Sequence, residues 1–297
     1  MDKARQVYTS LVLIAATVIA SGAAPGDQLA GAIEYIRHAE WRKADAVLEQ
    51  CPPADPSVLY WKAYVRFRTG RYAEAVSLAS RYLETKPESA AAHKILGLCY
   101  FMQEHHAEAE RELKRATDLD SSDTEALYYL GRLHFTRNDA PEALRIFERL
   151  VLLDKSSVRG YNHLGQTYEA LTRFDDARAA YRKAIELDRT QPARSQWPYF
   201  NLGVLYLKEG RPEEAIGLIR QALVINSDWP EGKTQLAIAL SSADQFDEAR
   251  LLLKEVLQNN PTNADAHYQM GRLLLKLGKP EEARPHLQEF ESLKKQR

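Results

Sequence analysis

The 297-residue sequence predicts an all-α protein built by repeating one helix-turn-helix unit, and three observations predict it. From Pro56 the chain divides into seven blocks of 34 residues, small residues recur at the eighth and twentieth positions, and carboxylates recur at the nineteenth. Self-similarity at a fixed period of about 20–50 residues marks stacked supersecondary units, each of which buries its apolar face only against its neighbours.

Taken in chain order, the first element is not part of the array. Lys3 and Arg5 precede an apolar run over 11–20, and the small residues Ser21, Gly22, Ala23 and Ala24 follow. A basic start, a short apolar stretch and a small-residue cleavage site form the pattern of a secretory signal, expected over residues 1–24. The run is shorter than the ~20 residues of a membrane span. No cysteine near the cleavage site suggests lipid modification, and no second apolar run follows. The expectation is therefore an exported chain, periplasmic or secreted, soluble after cleavage; the alternative is a tether made by an uncleaved signal anchor. Residues 25–55 read as a degenerate N-terminal unit. Trp41, Ala44 and Leu48 fit a second helix, whereas Ile33, Tyr35 and Ile36 fit a first helix poorly.

The seven regular units are 56–89, 90–123, 124–157, 158–191, 196–229, 230–263 and 264–297, with Pro192, Ala193, Arg194 and Ser195 as the single insertion. Position 8 reads Ala63, Gly97, Gly131, Gly165, Gly203, Ala237 and Gly271, as needed where two helices approach closely. Position 20 is alanine in every block, from Ala75 to Ala283, and is expected to present its methyl group to that small residue. Large apolar residues at helical spacing, such as Leu130, Phe147 and Leu150, or Leu164, Tyr168 and Tyr181, supply the buried stripe. Gly70, Asn138, Gly210 and Gly278 at position 15 suit a left-handed helix end. Prolines 141, 212 and 280 and the acidic position 19, from Glu74 to Glu282, mark the start of each second helix, where carboxylates meet exposed amides and the positive dipole end. Pro285 is expected to interrupt the early part of the last helix and let that end fray or dock elsewhere.

This pattern closely resembles the tetratricopeptide repeat over nearly all of the chain after residue 24. The resemblance implies a right-handed α-solenoid of about seven helix-turn-helix units plus the degenerate one, whose first helices line a concave groove. It also implies a non-catalytic scaffold that binds a protein or peptide segment. Carried over position by position, the groove falls on Tyr128, Tyr129, Arg132, Arg159, Asn162, Gln166, Trp197, Phe200 and Asn201. Aromatic rings there supply contact area, Asn and Gln can bond a peptide backbone, and Arg can clamp a carboxylate. One subgroup of the family grips acidic chaperone tails with Lys, Asn and Arg. Of that set only Asn201 is matched here, and Glu231 and Gln235 stand where its last two basic residues would be.

Composition narrows the partner class. Forty basic and 41 acidic residues leave a formal charge of -1, so no overall field draws the chain to nucleic acid or an anionic membrane. No phosphate-binding glycine loop, paired-cysteine metal motif or nucleophile elbow is present, and no cofactor is expected. An active site would have to bring a nucleophile and a base together across blocks. Glu104, His105 and His106, with Glu108 and Glu110 beyond, read as a solvated turn rather than a metal site. His134 shares its position with Tyr100, Tyr168 and Tyr206 and reads as a packed core-edge residue, while Cys51 and Cys99 read as two buried thiols. The functional expectation is a scaffold in an envelope or secreted complex; the alternative is a self-associating structural subunit without a groove ligand.

Overall fold

The computed structural model describes residues 25–295. The signal expected over 1–24 lies outside the described residues. The chain divides into two compact units, Met1–Leu153 and Asp154–Arg297. Among the described residues every regular element is an α-helix, and none is long and apolar enough to cross a membrane. The first unit holds α1 (Pro25–Arg37), α2 (Trp41–Gln50), α3 (Pro56–Arg68), α4 (Tyr72–Thr85), α5 (Ala90–Met102), α6 (His106–Leu119), α7 (Thr124–Thr136) and α8 (Ala140–Leu153). The second holds α9 (Val158–Ala170), α10 (Phe174–Asp188), α11 (Trp197–Lys208), α12 (Pro212–Ile225), α13 (Pro230–Ser242), α14 (Phe246–Asn259), α15 (Ala264–Lys276) and α16 (Pro280–Lys295). In each unit consecutive helices pair, and pairs stack on one another.

One backbone event closes every pair. The residue at position 15 takes a positive φ in all seven blocks, whether it is Gly70, Gly210, Gly278 or the non-glycine residues Glu104, Asn138, Thr172 and Asp244. The next amide then bonds back across the turn, as from Arg173 N–H to the Tyr168 carbonyl at 2.8 Å and from Asp139 N–H to the His134 carbonyl at 2.9 Å. This is the six-to-one closure that satisfies helix-end carbonyls. Four side chains accept the left-handed conformation, at roughly 1–2 kcal/mol each, because packing on both sides of the turn over-determines it.

The glycines at position 8 are seats for side chains. A Cβ on Gly97 would stand 2.6 Å from Leu113 Cγ, one on Gly131 2.8 Å from Phe147 Cε1, and one on Gly165 2.5 Å from Tyr181 Cε1. The expected partner, alanine at position 20, is fully buried, yet it is the large residue four places later that lies on the glycine. A second helix leans one turn further across the first than methyl-to-glycine contact would require. Where position 8 is Ala63, the lying residue shrinks to Ala79. First helices begin with caps set one residue before the block, where the side chains of Asp55, Ser89, Asp123, Ser157 and Asn263 accept backbone N–H groups. Such caps are each worth about 1 kcal/mol.

The degenerate unit expected at the N-terminal end is a helix pair, and the break expected at Pro285 is corrected. Residues 25–55 form a complete pair, α1 and α2, and Ile33, Tyr35 and Ile36 do lie in its first helix. Ala32, Ala39 and Ala44 occupy the small, left-handed and alanine positions, with φ 56° at Ala39. The unit escaped the pattern because it is shorter than 34 residues and places Lys43 at the acidic position. Arg66, only 5% exposed, ties it to α3 by pairing with Asp45, Glu49 and Glu74. Pro285, in turn, interrupts nothing: α16 runs unbroken through it. The proline is exposed, so the Glu281 carbonyl left without its amide partner lies on a face open to water.

Candidate interaction face

In the first unit the sequence-predicted residues Tyr128, Tyr129 and Arg132 come together on α7, and α5 adds Phe101, which sequence reasoning missed. Tyr129 meets Phe101 edge-on at 5.2 Å and Tyr128 at 5.2 Å. The Arg132 guanidinium lies 4.9 Å from the Phe101 ring centre, 5.6 Å from Tyr128 and 5.7 Å from Tyr129. Three quadrupolar rings hold the cation in place, each contact worth about 0.5–1 kcal/mol. Among the described residues no carboxylate pairs with Arg132. Its five N–H donors are thus oriented by rings, which accept charge but leave the planar fork free for an acceptor. The same device recurs on α3, where Arg68 stands 4.5 Å from the Trp41 ring and donates to the Tyr64 hydroxyl at 2.9 Å.

In the second unit the amides behave differently from expectation. Asn162 on α9 and Asn201 on α11 are both buried, and Asn201 Nδ2 donates to Asn162 Oδ1 at 2.9 Å. They join neighbouring pairs and are not free to serve a bound backbone with those atoms. Gln166, one turn beyond Asn162, carries a buried Oε1 that accepts no hydrogen bond among the described residues. Trp197 is 43% exposed, whereas Phe200 beneath it is buried. Their rings meet edge-on at 6.1 Å, and Trp229, again missed from sequence, closes the cluster at 5.1 Å from Trp197 and 4.5 Å from Phe200. Trp229 is seated by Gly232, whose added Cβ would stand 2.6 Å from its ring. The Pro192–Ser195 insertion presents Trp197: buried Asp188 accepts from Ser195 N–H at 2.7 Å and from Arg194 Nε at 3.4 Å, pinning the chain just before α11. Arg159 is exposed in the first turn of α9.

The polar clusters singled out earlier resolve simply. His105 is exposed in the turn between α5 and α6, and His106 is exposed at the first position of α6. Among the described residues no group of three or more His, Cys, Asp or Glu side chains is placed to hold a metal ion. His134 bonds Asp139 at 2.9 Å and lies 3.8 Å from Glu110, and that bond holds the Asp139 carboxyl below its usual range. Both cysteines are free and buried, and burial pushes the Cys99 thiol up to about 12.

Helix pairs closed by a left-handed turn, with small residues seating the partner helix, define a repeat scaffold of the helix-turn-helix class. Family models for the tetratricopeptide repeat match residues 103–159, 156–228 and 240–290, and a model for anaphase-promoting complex, cyclosome, subunit 3 matches 43–116. This chain belongs to the tetratricopeptide-repeat family. It resembles the Cut9–Hcn1 hetero-tetramer of that complex with a TM-score of 0.64 and 17% identity, over 90% of this chain and 52% of that one. The likeness to Pseudomonas aeruginosa PilF has a TM-score of 0.59 and 21% identity, over 72% of this chain and all (100%) of that one. YrrB, a TPR protein with an unusual peptide-binding site, matches with a TM-score of 0.50 and 21% identity, over 61% of this chain and 91% of its own. The TPR repeat-containing thioredoxin TTL4 of Arabidopsis thaliana is 31% identical over 85 residues, 29% of this chain, and the match spans 12% of that protein. At these identities the structural likenesses show the fold.

Proposed function

We propose that this chain is a non-catalytic scaffold that captures an extended or helical segment of another protein on the first-helix faces of its repeats, within an envelope or secreted complex. The observation that carries the reading is the Arg132 cradle. A cation held by Phe101, Tyr128 and Tyr129 without a carboxylate partner is a preorganised receptor for an acidic side chain flanked by apolar ones. Exposed Trp197 on its Phe200–Trp229 base has the form of an aromatic anchor in the second unit. The unpaired Gln166 Oε1 is a group that an incoming N–H would satisfy. Export rests on the pattern of residues 1–24.

The self-association alternative would place the outer face of α16 against a second copy of the chain. Position 28 is apolar or threonine in six blocks, and in the second unit Leu223 there lies 3.0 Å from the Cβ position of Gly232 in the following pair. In α16 that position is Glu291, on a surface groove lined also by Pro280, Arg284, Leu287 and Lys295. The test is affinity capture from the native envelope fraction with the chain from Ala24 onward, beside Arg132→Glu and Trp197→Ala, read by mass spectrometry. A partner retained by the native chain and lost with both variants supports the scaffold. Equal recovery with all three chains removes these faces from the function.

A further inference from the structure

The last helix pair carries a side-chain pair that the interaction face does not use. His267 on α15 and His286 on α16 approach Nδ1 to Nδ1 at 3.0 Å, with ring centres 5.2 Å apart. The Nε2 of His267 stands 2.9 Å from the Pro261 carbonyl. A carbonyl only accepts, so Nε2 carries the proton and neutral His267 turns its Nδ1 lone pair toward His286.

The chain contains its own comparison. In block 2 the same two positions hold His93 and Glu112, with Nδ1 2.7 Å from the carboxylate and Nε2 3.0 Å from the Pro87 carbonyl. The frame is the same, a histidine braced by the proline carbonyl before its helix. Only the partner differs, an anion in block 2 and a second imidazole in block 7. Where one block places a carboxylate against the histidine Nδ1, the other places a second imidazole nitrogen.

We propose that His267 and His286 form a chelating site for a divalent transition metal ion of the kind that imidazole binds, Cu2+, Ni2+ or Zn2+. Two nitrogens each about 2.05 Å from one metal stand roughly 2.9–3.4 Å apart for angles of 90–109°, and the observed separation falls in that range. The Pro261 carbonyl supplies the outer hydrogen bond that orients a metal-binding histidine and fixes its tautomer. On metal binding the His286 Nδ1 proton gives way to the Nε2–H tautomer, so both rings ligate as neutral imidazoles. The two imidazoles are the protein ligands of this site, and a carboxylate lies near it in sequence. Glu289 occupies the position at which Glu255, one block earlier, reaches Lys233 Nζ at 2.8 Å, and Lys233 is the equivalent of His267. Water completes the shell, and imidazole sites favour Cu2+ among these ions.

Calorimetric titration of the untagged full chain with Cu2+, paired with the nitrogen splitting in its electron paramagnetic resonance spectrum, tests the site. His286→Gln retains an amide N–H that can bond His267 Nδ1, so the helix contact survives while a metal ligand is lost. Tenfold or greater weakening at one site, with loss of the two-nitrogen signature, is expected in His286→Gln and in His267→Gln. No weakening is expected in His93→Gln. Circular dichroism monitors folding, and paramagnetic broadening of the His267 and His286 ring signals reads the site in the unsubstituted chain. Absence of a strong site in the native chain, its persistence in His286→Gln, or its loss instead from a His105→Gln, His106→Gln double variant overturns the proposal.

Discussion

Replacing Gly165 by alanine adds one methyl group where the fold has no room for it. The new Cβ would stand 2.5 Å from Tyr181 Cε1, 2.6 Å from Cδ1 and 2.9 Å from Cζ, against 3.4 Å or more for ordinary contact. The ring must therefore retreat by nearly an ångström. It is fully buried, and its hydroxyl donates to Glu169 Oε2 at 2.6 Å. Overpacking of this kind costs about 1–3 kcal/mol, and straining a bond to a charged acceptor adds about 1.5–3 kcal/mol if it is lost. The better helix propensity of alanine returns about 1 kcal/mol. The net expectation is a destabilisation of about 2–4 kcal/mol. Gly217, on α12 of the same unit, is the control, because nothing lies within 4 Å of its Cβ position. Gly217→Ala should stabilise by about 1 kcal/mol through propensity alone. Urea denaturation followed by circular dichroism measures both. A Gly165→Ala chain as stable as the native one, or a destabilised Gly217→Ala chain, would refute the packing register of the second unit.

Asn162→Ala leaves Asn201 without its buried partner and should cost about 1–3 kcal/mol, while the double variant with Asn201→Ala should cost less than the sum of the two singles; additive denaturation midpoints would dissolve the pair. Asp188→Ala removes the acceptor for Ser195 N–H and Arg194, so the inserted segment should lose protection from proteolysis and hydrogen exchange while α9 and α10 keep theirs. Cys99, buried and pushed up to about 12, should resist alkylation in the native chain at pH 8 and react once urea unfolds it; rapid native labelling would contradict its burial.

The repeat period, the turns and the starts of second helices are legible in the sequence because each follows from local chemistry, whereas the residue that lies on each position-8 glycine stands four places beyond the expected alanine. A left-handed turn, a carboxylate at a helix start and a glycine under a large side chain leave their marks at fixed spacing. What failed locally did so for identifiable reasons. The unit at 25–55 carries the same small, left-handed and alanine positions at Ala32, Ala39 and Ala44, but its shortened length and Lys43 hid them. Pro285 predicts a break by its type alone, whereas an exposed position tolerates the loss of one amide.

For the candidate face, residue type and position led to Tyr129, Arg132 and Trp197 but said nothing of which neighbours would claim each atom. Only the stacking of pairs spends the Asn162 and Asn201 amides on each other, adds Phe101 and Trp229 to the ring clusters, and leaves Arg132 held by aromatics without an anion. Periodicity is written residue by residue along the chain and so determines the unit. Satisfaction of a polar group depends on what arrives from another helix about 34 residues away, and that is decided by the tertiary structure.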